Sequence, residues 1–372
     1  MKVLHVISDS NIGGAGVLLS TLLRNFDKRR VQSSVALPRE SALCRRLEEL
    51  KIPMYPLTHA CDRLSPASIR EIHTIATHEG IDLIHANAAL AARVAGRLSH
   101  IPVVHTRHCC YPPRGLWKLP PVRYFGGACN RMLSDLVIAT ADAAAENLRA
   151  LGIRDDRIEV IINGSETVRA VDDAELAVMR VRYGIEEDDF TVGICARLEV
   201  CKGHETFLRA AKLISERMPR LRFRFLIVGT GSLERMLKRH AKELGLADAV
   251  RFLGFVEDMA PIYRLLRVNV NCSCGTETSC LAISEGMSAA LPTVASDYGG
   301  NRAMLGESEG GILFPVGDAE ALAEAICAIA GDREREARMR KAAYERYLTC
   351  FTPKEMTSRV TALYERLLKS RT

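Results

Sequence analysis

The chain alternates short apolar, β-branched runs with longer stretches in which apolar residues recur every three or four positions. In the first half, runs at 2–8, 32–37, 52–57, 82–85, 102–106, 135–140 and 158–162 predict strands, with helices over 15–25, 65–79, 88–98 and 141–151. A second series has strands near 190–195, 223–228, 249–253, 268–272, 292–296 and 311–314, and helices near 203–217, 233–244, 281–290 and 318–331. The strands are apolar throughout rather than alternating, which marks parallel sheets covered on both faces. Between the two series Asn163-Gly164 marks a turn and 166–173 is polar. The spacing therefore predicts two doubly wound units with ligand crevices at the carboxyl ends of their strands. Beyond 331 the pattern is helical only, and Met356, Val360, Leu363, Tyr364 and Leu367 form a stripe that must pack on something.

A length of 372 residues agrees with two domains of roughly 150–200 residues each. The net charge of +6 suits an anionic ligand such as a nucleotide diphosphate, and no stretch is basic enough to predict nucleic-acid binding. No run reaches the roughly 18 apolar residues of a membrane span, and Met1–Ile7 reads as a buried first strand rather than a secretory signal. Twelve scattered cysteines read as reduced thiols of a cytoplasmic protein. The pairs Cys109-Cys110 and Cys272-x-Cys274 lack a second pair at zinc-site spacing, so core or loop positions are expected for them.

Three segments could carry chemistry. Asn11-Ile12-Gly13-Gly14-Ala15-Gly16 follows the first strand and opens a helix, where glycine lets backbone N–H groups approach an anion; tight turns use glycine there too. It is not a full dinucleotide fingerprint, because the acidic residue after the second strand is missing. Arg197 through Lys202-Gly203-His204 follows the first strand of the second unit, and its two cations could meet a diphosphate or simply be solvated. Gly275-Thr276-Glu277-Thr278-Ser279-Cys280-Leu281 leads into a helix carrying Glu285. Glu277 could accept from sugar hydroxyls and Glu285 from a ribose, while N–H groups near Ser279, Cys280 and Leu281 could bind a phosphate or sugar oxygen. Against this, Glu277 could be a helix-start charge and Glu285 an exposed helical residue.

Together these segments resemble the family-4 glycosyltransferases of the GT-B fold. So do Val160-Ile161-Ile162-Asn163-Gly164, Phe225–Gly231, Phe252–Asp258, and Leu291-Pro292-Thr293-Val294 followed by Gly299-Gly300. The resemblance covers nearly the whole chain. It implies two Rossmann-like domains facing across a cleft: 1–165 on the acceptor side, 166–350 on the donor side, and 351–372 as a helix crossing back to the first. It implies a metal-independent, retaining transferase with a nucleotide diphosphate-sugar donor, commonly uridine diphosphate, and no cofactor. Arg197 and Lys202 would clamp the diphosphate. Glu277 would hold the transferred sugar, Glu285 the ribose, and the Ser279–Leu281 backbone sugar and phosphate. Gly13 and Gly14 would let the diphosphate or acceptor approach from the first domain. A histidine after the fifth strand sits under the sugar in such enzymes; His108 matches best, with His105 second.

Three departures surround the expected sugar position: Ala290 where glycine is usual, Arg302-Ala303 where a glutamate often follows Gly299-Gly300, and Thr278-Ser279-Cys280 where glycine and an aromatic are common. The segment Tyr111–Tyr124, with the only tryptophan (Trp117), could touch an acceptor or an anionic membrane surface, placing the protein peripherally at the inner membrane face; an irregular connection is the plainer reading. Other readings are a GT-B nucleotide-sugar epimerase and a non-catalytic nucleotide-sugar-binding scaffold.

Overall fold

The computed structural model describes residues 1–8, 13–59, 61, 64–108, 115, 119–275 and 277–371, with Arg123 described by its backbone alone. By chain contacts it divides into two compact units, Met1–Ser165 with Pro353–Thr372, and Glu166–Thr352.

The first unit holds strands β1 (Lys2–Ile7), β2 (Gln32–Pro38), β3 (Met54–Leu57), β4 (Leu83–Asn87), β5 (Val103–Arg107), β6 (Leu136–Ala139) and β7 (Ile158–Val160). Its helices are α1 (Gly14–Asn25), α2 (Cys44–Glu49), α3 (Pro66–His78), α4 (Leu90–Leu98), α5 (Pro120–Leu133) and α6 (Asp142–Ala150). The seven strands pair in parallel in the order β3-β2-β1-β4-β5-β6-β7, so the winding reverses between β1 and β4. Both faces are covered, which is why β1 can be apolar at nearly every position. Leu18, Leu19, Leu22 and Leu23 of α1 cover one face; Ile72 and Ala76 of α3 and Ala91, Ala92 and Ala95 of α4 cover the other.

The second unit begins with α7 (Asp173–Tyr183), followed by β8 (Phe190–Cys195), α8 (His204–Arg217), β9 (Phe223–Val228), α9 (Glu234–Glu243) and β10 (Val250–Gly254). There follow α10 (Ala260–Leu265), β11 (Val268–Asn271), α11 (Leu281–Ser288), β12 (Thr293–Ser296), α12 (Asn301–Leu305), β13 (Gly311–Phe314), α13 (Ala319–Ala330) and α14 (Arg333–Cys350). Its six parallel strands run β10-β9-β8-β11-β12-β13, with the reversal between β8 and β11. Phe207, Leu208 and Ala211 of α8 pack with Leu322, Ala323 and Ile326 of α13 on one face. Tyr263 and Leu265 with Ala289 and Leu291 seal the other.

The last helix, α15 (Pro353–Lys369), belongs to the first unit. Its stripe of Met356, Val360, Leu363, Tyr364 and Leu367 is buried against α1 and the first sheet. Tyr364 Oη shares a hydrogen bond of 2.5 Å with His85 Nδ1, and Arg30–Glu365 closes the helix edge at 2.6 Å.

Several helices carried too weak a pattern to predict. α7 has no fully buried residue; Leu176, Met179 and Tyr183 pack half-buried on the core, and its ends are marked by Asp172 accepting from the Glu175 amide at 2.8 Å and Gly184 stopping it in the left-handed region. α5 leaves large apolar residues outside rather than in a stripe toward the core.

Candidate active site

Strands β8 and β11 are neighbours, yet the chain leaves them for opposite sides of the sheet. Their carboxyl ends therefore open a crevice, the place where doubly wound sheets bind ligands. The loop after β8 carries Arg197, then a single 3₁₀ turn, Val200–Lys202, and then Gly203. The loop after β11 carries Ser273, Cys274, Gly275 and Glu277 before α11 begins. The Cys274 amide donates to the Cys201 carbonyl at 2.9 Å and ties the two loops together. Gly203 is obligatory: its φ is +67°, and a Cβ there would lie 2.1 Å from the Cys272 carbonyl oxygen.

Lys202 Nζ meets Glu277 Oε2 at 2.6 Å, with the two side chains only 18% and 8% exposed. Desolvation alone would lower the lysine pKa, but the Glu277 carboxylate outweighs it and holds the ammonium above its ordinary value. Beneath the carboxylate lies a buried polar frame. Ser273 Oγ donates to Glu277 Oε2 at 2.8 Å, and the Ser273 amide donates to Asn271 Oδ1 at 2.9 Å. Ser296 Oγ donates to the Ser273 carbonyl at 2.6 Å, and Asn301 Nδ2 to the Ser296 carbonyl at 3.0 Å. Gly299 presses on the loop from β12; with φ at +57°, its Cβ would fall 2.2 Å from the Glu277 carbonyl. His204, buried and with neither ring nitrogen paired among the described residues, is pulled down to about 4 by desolvation and then by Lys202, so it stays neutral.

Glu285 sits in the second turn of α11, half-buried rather than exposed. Its Oε2 accepts from Tyr263 Oη at 2.8 Å. Burial raises its pKa, and the tyrosine bond offsets part of that rise. Arg197 is exposed and makes no side-chain hydrogen bond or ion pair to the described residues. At the start of α11 one expectation is corrected. The Cys280 amide is not free, since it donates to Met304 Sδ at 3.1 Å, and the Cys280 thiol accepts from Asn271 Nδ2 at 3.0 Å. The Leu281 amide and the buried Ser279 hydroxyl have no partner among the described residues.

The departures from the family pattern also take shape. Ala290 occupies φ +57°, a conformation natural to glycine. Ala290→Gly should therefore raise unfolding stability by about 0.5–1 kcal/mol, read by urea denaturation. Arg302 is occupied with Asp297.

Gly13, Gly14 and His108 belong to the first unit. Gly13 caps α1, accepting from the Val17 amide at 3.0 Å, and a Cβ on Gly14 would meet nothing within 4 Å. Local packing does not require glycine at 14, which leaves room for a close ligand. His108 follows β5 directly, its Nε2 lies 3.2 Å from Asn87 Oδ1, and desolvation lowers its pKa to about 4. His105 lies within β5, bonded to the Ala86 carbonyl at 3.1 Å. Asn11, Ile12, Cys109, Cys110, Trp117 with 111–114, 116 and 118 of its segment, and Thr276 lie outside the described residues. Among the described residues no three His, Cys, Asp or Glu side chains gather as a metal site would require.

The Glycosyltransferase Family 4 profile matches residues 12–169 and that of Glycosyl transferases group 1 matches 189–332. Glycosyltransferase EpsD of Bacillus subtilis is 31% identical over 273 residues, covering 70% of both chains. The D-inositol 3-phosphate glycosyltransferase of Corynebacterium urealyticum is 30% identical over 280 residues, 69% of this chain and 65% of that one, so the chain spans just under two thirds of that relative. Among solved structures, HepE of Anabaena in complex with UDP superposes with a TM-score of 0.84 at 22% identity, over 98% of this chain and 100% of that one. Sucrose-phosphate synthase from Thermosynechococcus elongatus gives 0.79 at 19% identity, over the full length of both. The two parallel α/β units are those of the GT-B fold, and the protein is a glycosyltransferase. The chain belongs to glycosyltransferase family 4.

Proposed function

We propose that the protein transfers a sugar from a uridine diphosphate-sugar to an acceptor hydroxyl with retention of configuration and without a divalent metal. The observation that carries this reading is the Lys202–Glu277 pair at the point where the second sheet reverses. Breaking the bond between the anomeric carbon and the diphosphate leaves its electron pair on phosphate oxygen. Lys202 and the exposed Arg197 take up that charge. Glu277, fixed by Ser273, holds the sugar hydroxyls and supports positive charge growing on the ring. Glu285, aimed by Tyr263, takes the ribose. Free donors at Leu281 and Ser279 suit sugar or phosphate oxygens. Gly13 and Gly14 admit the diphosphate or acceptor, and a neutral His108 contributes a hydrogen bond rather than a charge. The acceptor oxygen bonds to the anomeric carbon on the face from which the diphosphate departs, and its proton passes to the departing diphosphate. The uridine choice is supported by the HepE complex with UDP.

A thermal-shift series with nucleoside diphosphates tests the donor. UDP at a hundredfold over its dissociation constant should stabilise the chain by about 3 kcal/mol, and Arg197→Ala should lose both this shift and turnover. Donor conversion without any acceptor would point instead to an epimerase, and binding without turnover to a scaffold.

Peripheral contact with an anionic membrane is part of the same reading. Residues 83–134 contain seven Lys and Arg and no Asp or Glu. Around α5, Leu119, Tyr124, Phe125 and Met132 stand 50–72% exposed. No helix among the described residues is long and apolar enough to cross a membrane. Phosphatidylglycerol vesicles should sediment the wild type but not a Phe125→Ser/Met132→Ser variant; wild type left in the supernatant ends this part of the proposal.

A further inference from the structure

We infer that Cys201 and Cys274 are a dithiol that closes into a disulfide across the two loops of the candidate site. Cys274 is exposed and Cys201 half-buried, so both are open to a small oxidant. The hydrogen bond from the Cys274 amide to the Cys201 carbonyl, 2.9 Å, holds the two backbones in direct contact, as a disulfide requires, since it joins Cα atoms roughly 4.4–6.8 Å apart. The Cys201 thiol also lies near enough to Cys274 to act on it electrostatically. Cys274 Sγ lies 3.4 Å from the carbonyl of Val200, the residue before Cys201. From the other loop, Cys201 Cβ lies 3.2 Å from the place a side chain on Gly275 would begin. Glycine at 275 thus leaves Cys201 room against the second loop.

The other thiols nearby are unsuited. Cys272 and Cys280 are buried, desolvation raises both, and that of Cys280 reaches about 12. The oxidant is a peroxide. The Cys274 thiolate attacks one peroxide oxygen and breaks the O–O bond, giving a sulfenic acid and hydroxide, which takes up the proton the thiol had released and becomes water. The Cys201 thiol then displaces the hydroxyl from that sulfur as a second water, forming the S–S bond. Two electrons pass from the thiols to the peroxide. Desolvation and the neighbouring Cys201 raise the Cys274 pKa, so closure quickens as pH rises.

Lys202 adjoins one cysteine, and Ser273, which holds Glu277, adjoins the other. Closure would pin both loops and slow the exchange of donor and product, a consequence that rests on the proposed function. The test treats the full-length protein with hydrogen peroxide, blocks remaining thiols, and digests it with trypsin without reductant. The peptide 198–202 should appear joined to 268–302 through Cys274. The join should vanish with dithiothreitol and be absent from Cys201→Ser and Cys274→Ser. Sugar transfer by the oxidised wild type should fall about fivefold or more and recover on reduction, while both serine variants keep their rate in peroxide. Separate alkylation of both cysteines after oxidation, or a join through Cys272 or Cys280, overturns the disulfide whatever the activity. A formed bridge with unchanged transfer overturns its control of the site. A reduced protein that bridges on oxidation yet never transfers sugar overturns the functional reading and leaves the disulfide standing.

Discussion

Glu277→Ala will lower sugar transfer about a thousandfold or more while UDP binds as tightly as before. A thousandfold corresponds to about 4 kcal/mol of transition-state stabilisation, the scale expected when an oriented charge in a water-poor site is removed. The carboxylate is buried and fixed by Ser273 and Lys202, so it acts on the sugar without first being organised. Its loss also frees Lys202. In the ligand-free protein that ammonium is neutralised by Glu277, and an arriving diphosphate must share it. In the variant it has no other partner, so phosphate affinity is kept or gained. The unliganded variant should nevertheless melt earlier, because a mostly buried cation loses its counter-ion; about 1–3 kcal/mol is expected for a pair this close to the surface. UDP should restore part of that loss. Wild-type transfer by the variant would remove Glu277 from its proposed role.

Acid will destabilise the first unit well above the pH at which carboxylates titrate. Four histidines cluster near its core. His5 is fully buried with neither ring nitrogen paired among the described residues; His85 lies between Tyr364 and Thr106; His105 is bonded to a carbonyl; His108 meets Asn87. Desolvation holds His5 and His105 at about 3 and His108 at about 4, and lowers His85 well below the ordinary 6.5. Each is neutral when folded and protonates more readily when unfolded. Their contribution is therefore complete above about pH 6.5 and is lost as pH falls toward the folded values. Each group adds up to about 1.4 kcal/mol per pH unit, so the four together make a steep decline between about pH 6 and 4. Melting curves across this range measure it, and His5→Leu should flatten the slope. A melting temperature unchanged from pH 7 to 5 would contradict the assignment.

The strands and both sheets were legible because a strand covered on two faces must be apolar at every position, a signal few other structures give. α15 was legible for a related reason, its stripe having to find a partner. α5 and α7 were not, since exposed Phe125 and Met132 blur one pattern and the other helix only half-buries Leu176, Met179 and Tyr183. At the site, Lys202 and Glu277 stood out as polar residues after strands, but their contact joins positions 75 apart and exists only because β11 pairs with β8. Asn271, Ser273, Ser296 and Asn301 were missed because a lone polar residue at a strand end, in a loop or at a helix start looks like any other. Tyr263 was missed because an aromatic beside Ile262 and Leu265 reads as core. The hydroxyl that holds Glu285 belongs to a ring that is core as well.

The discontinuity of the first unit orders its assembly in time. On the ribosome, residues 1–165 emerge with one sheet face lacking Met356, Val360, Leu363 and Tyr364, and the whole of Glu166–Thr352 must be made before that cover arrives. Until then His85 waits for the phenol that holds it. During synthesis the intervening half can finish its own interior first, and the half begun earliest is the last to close.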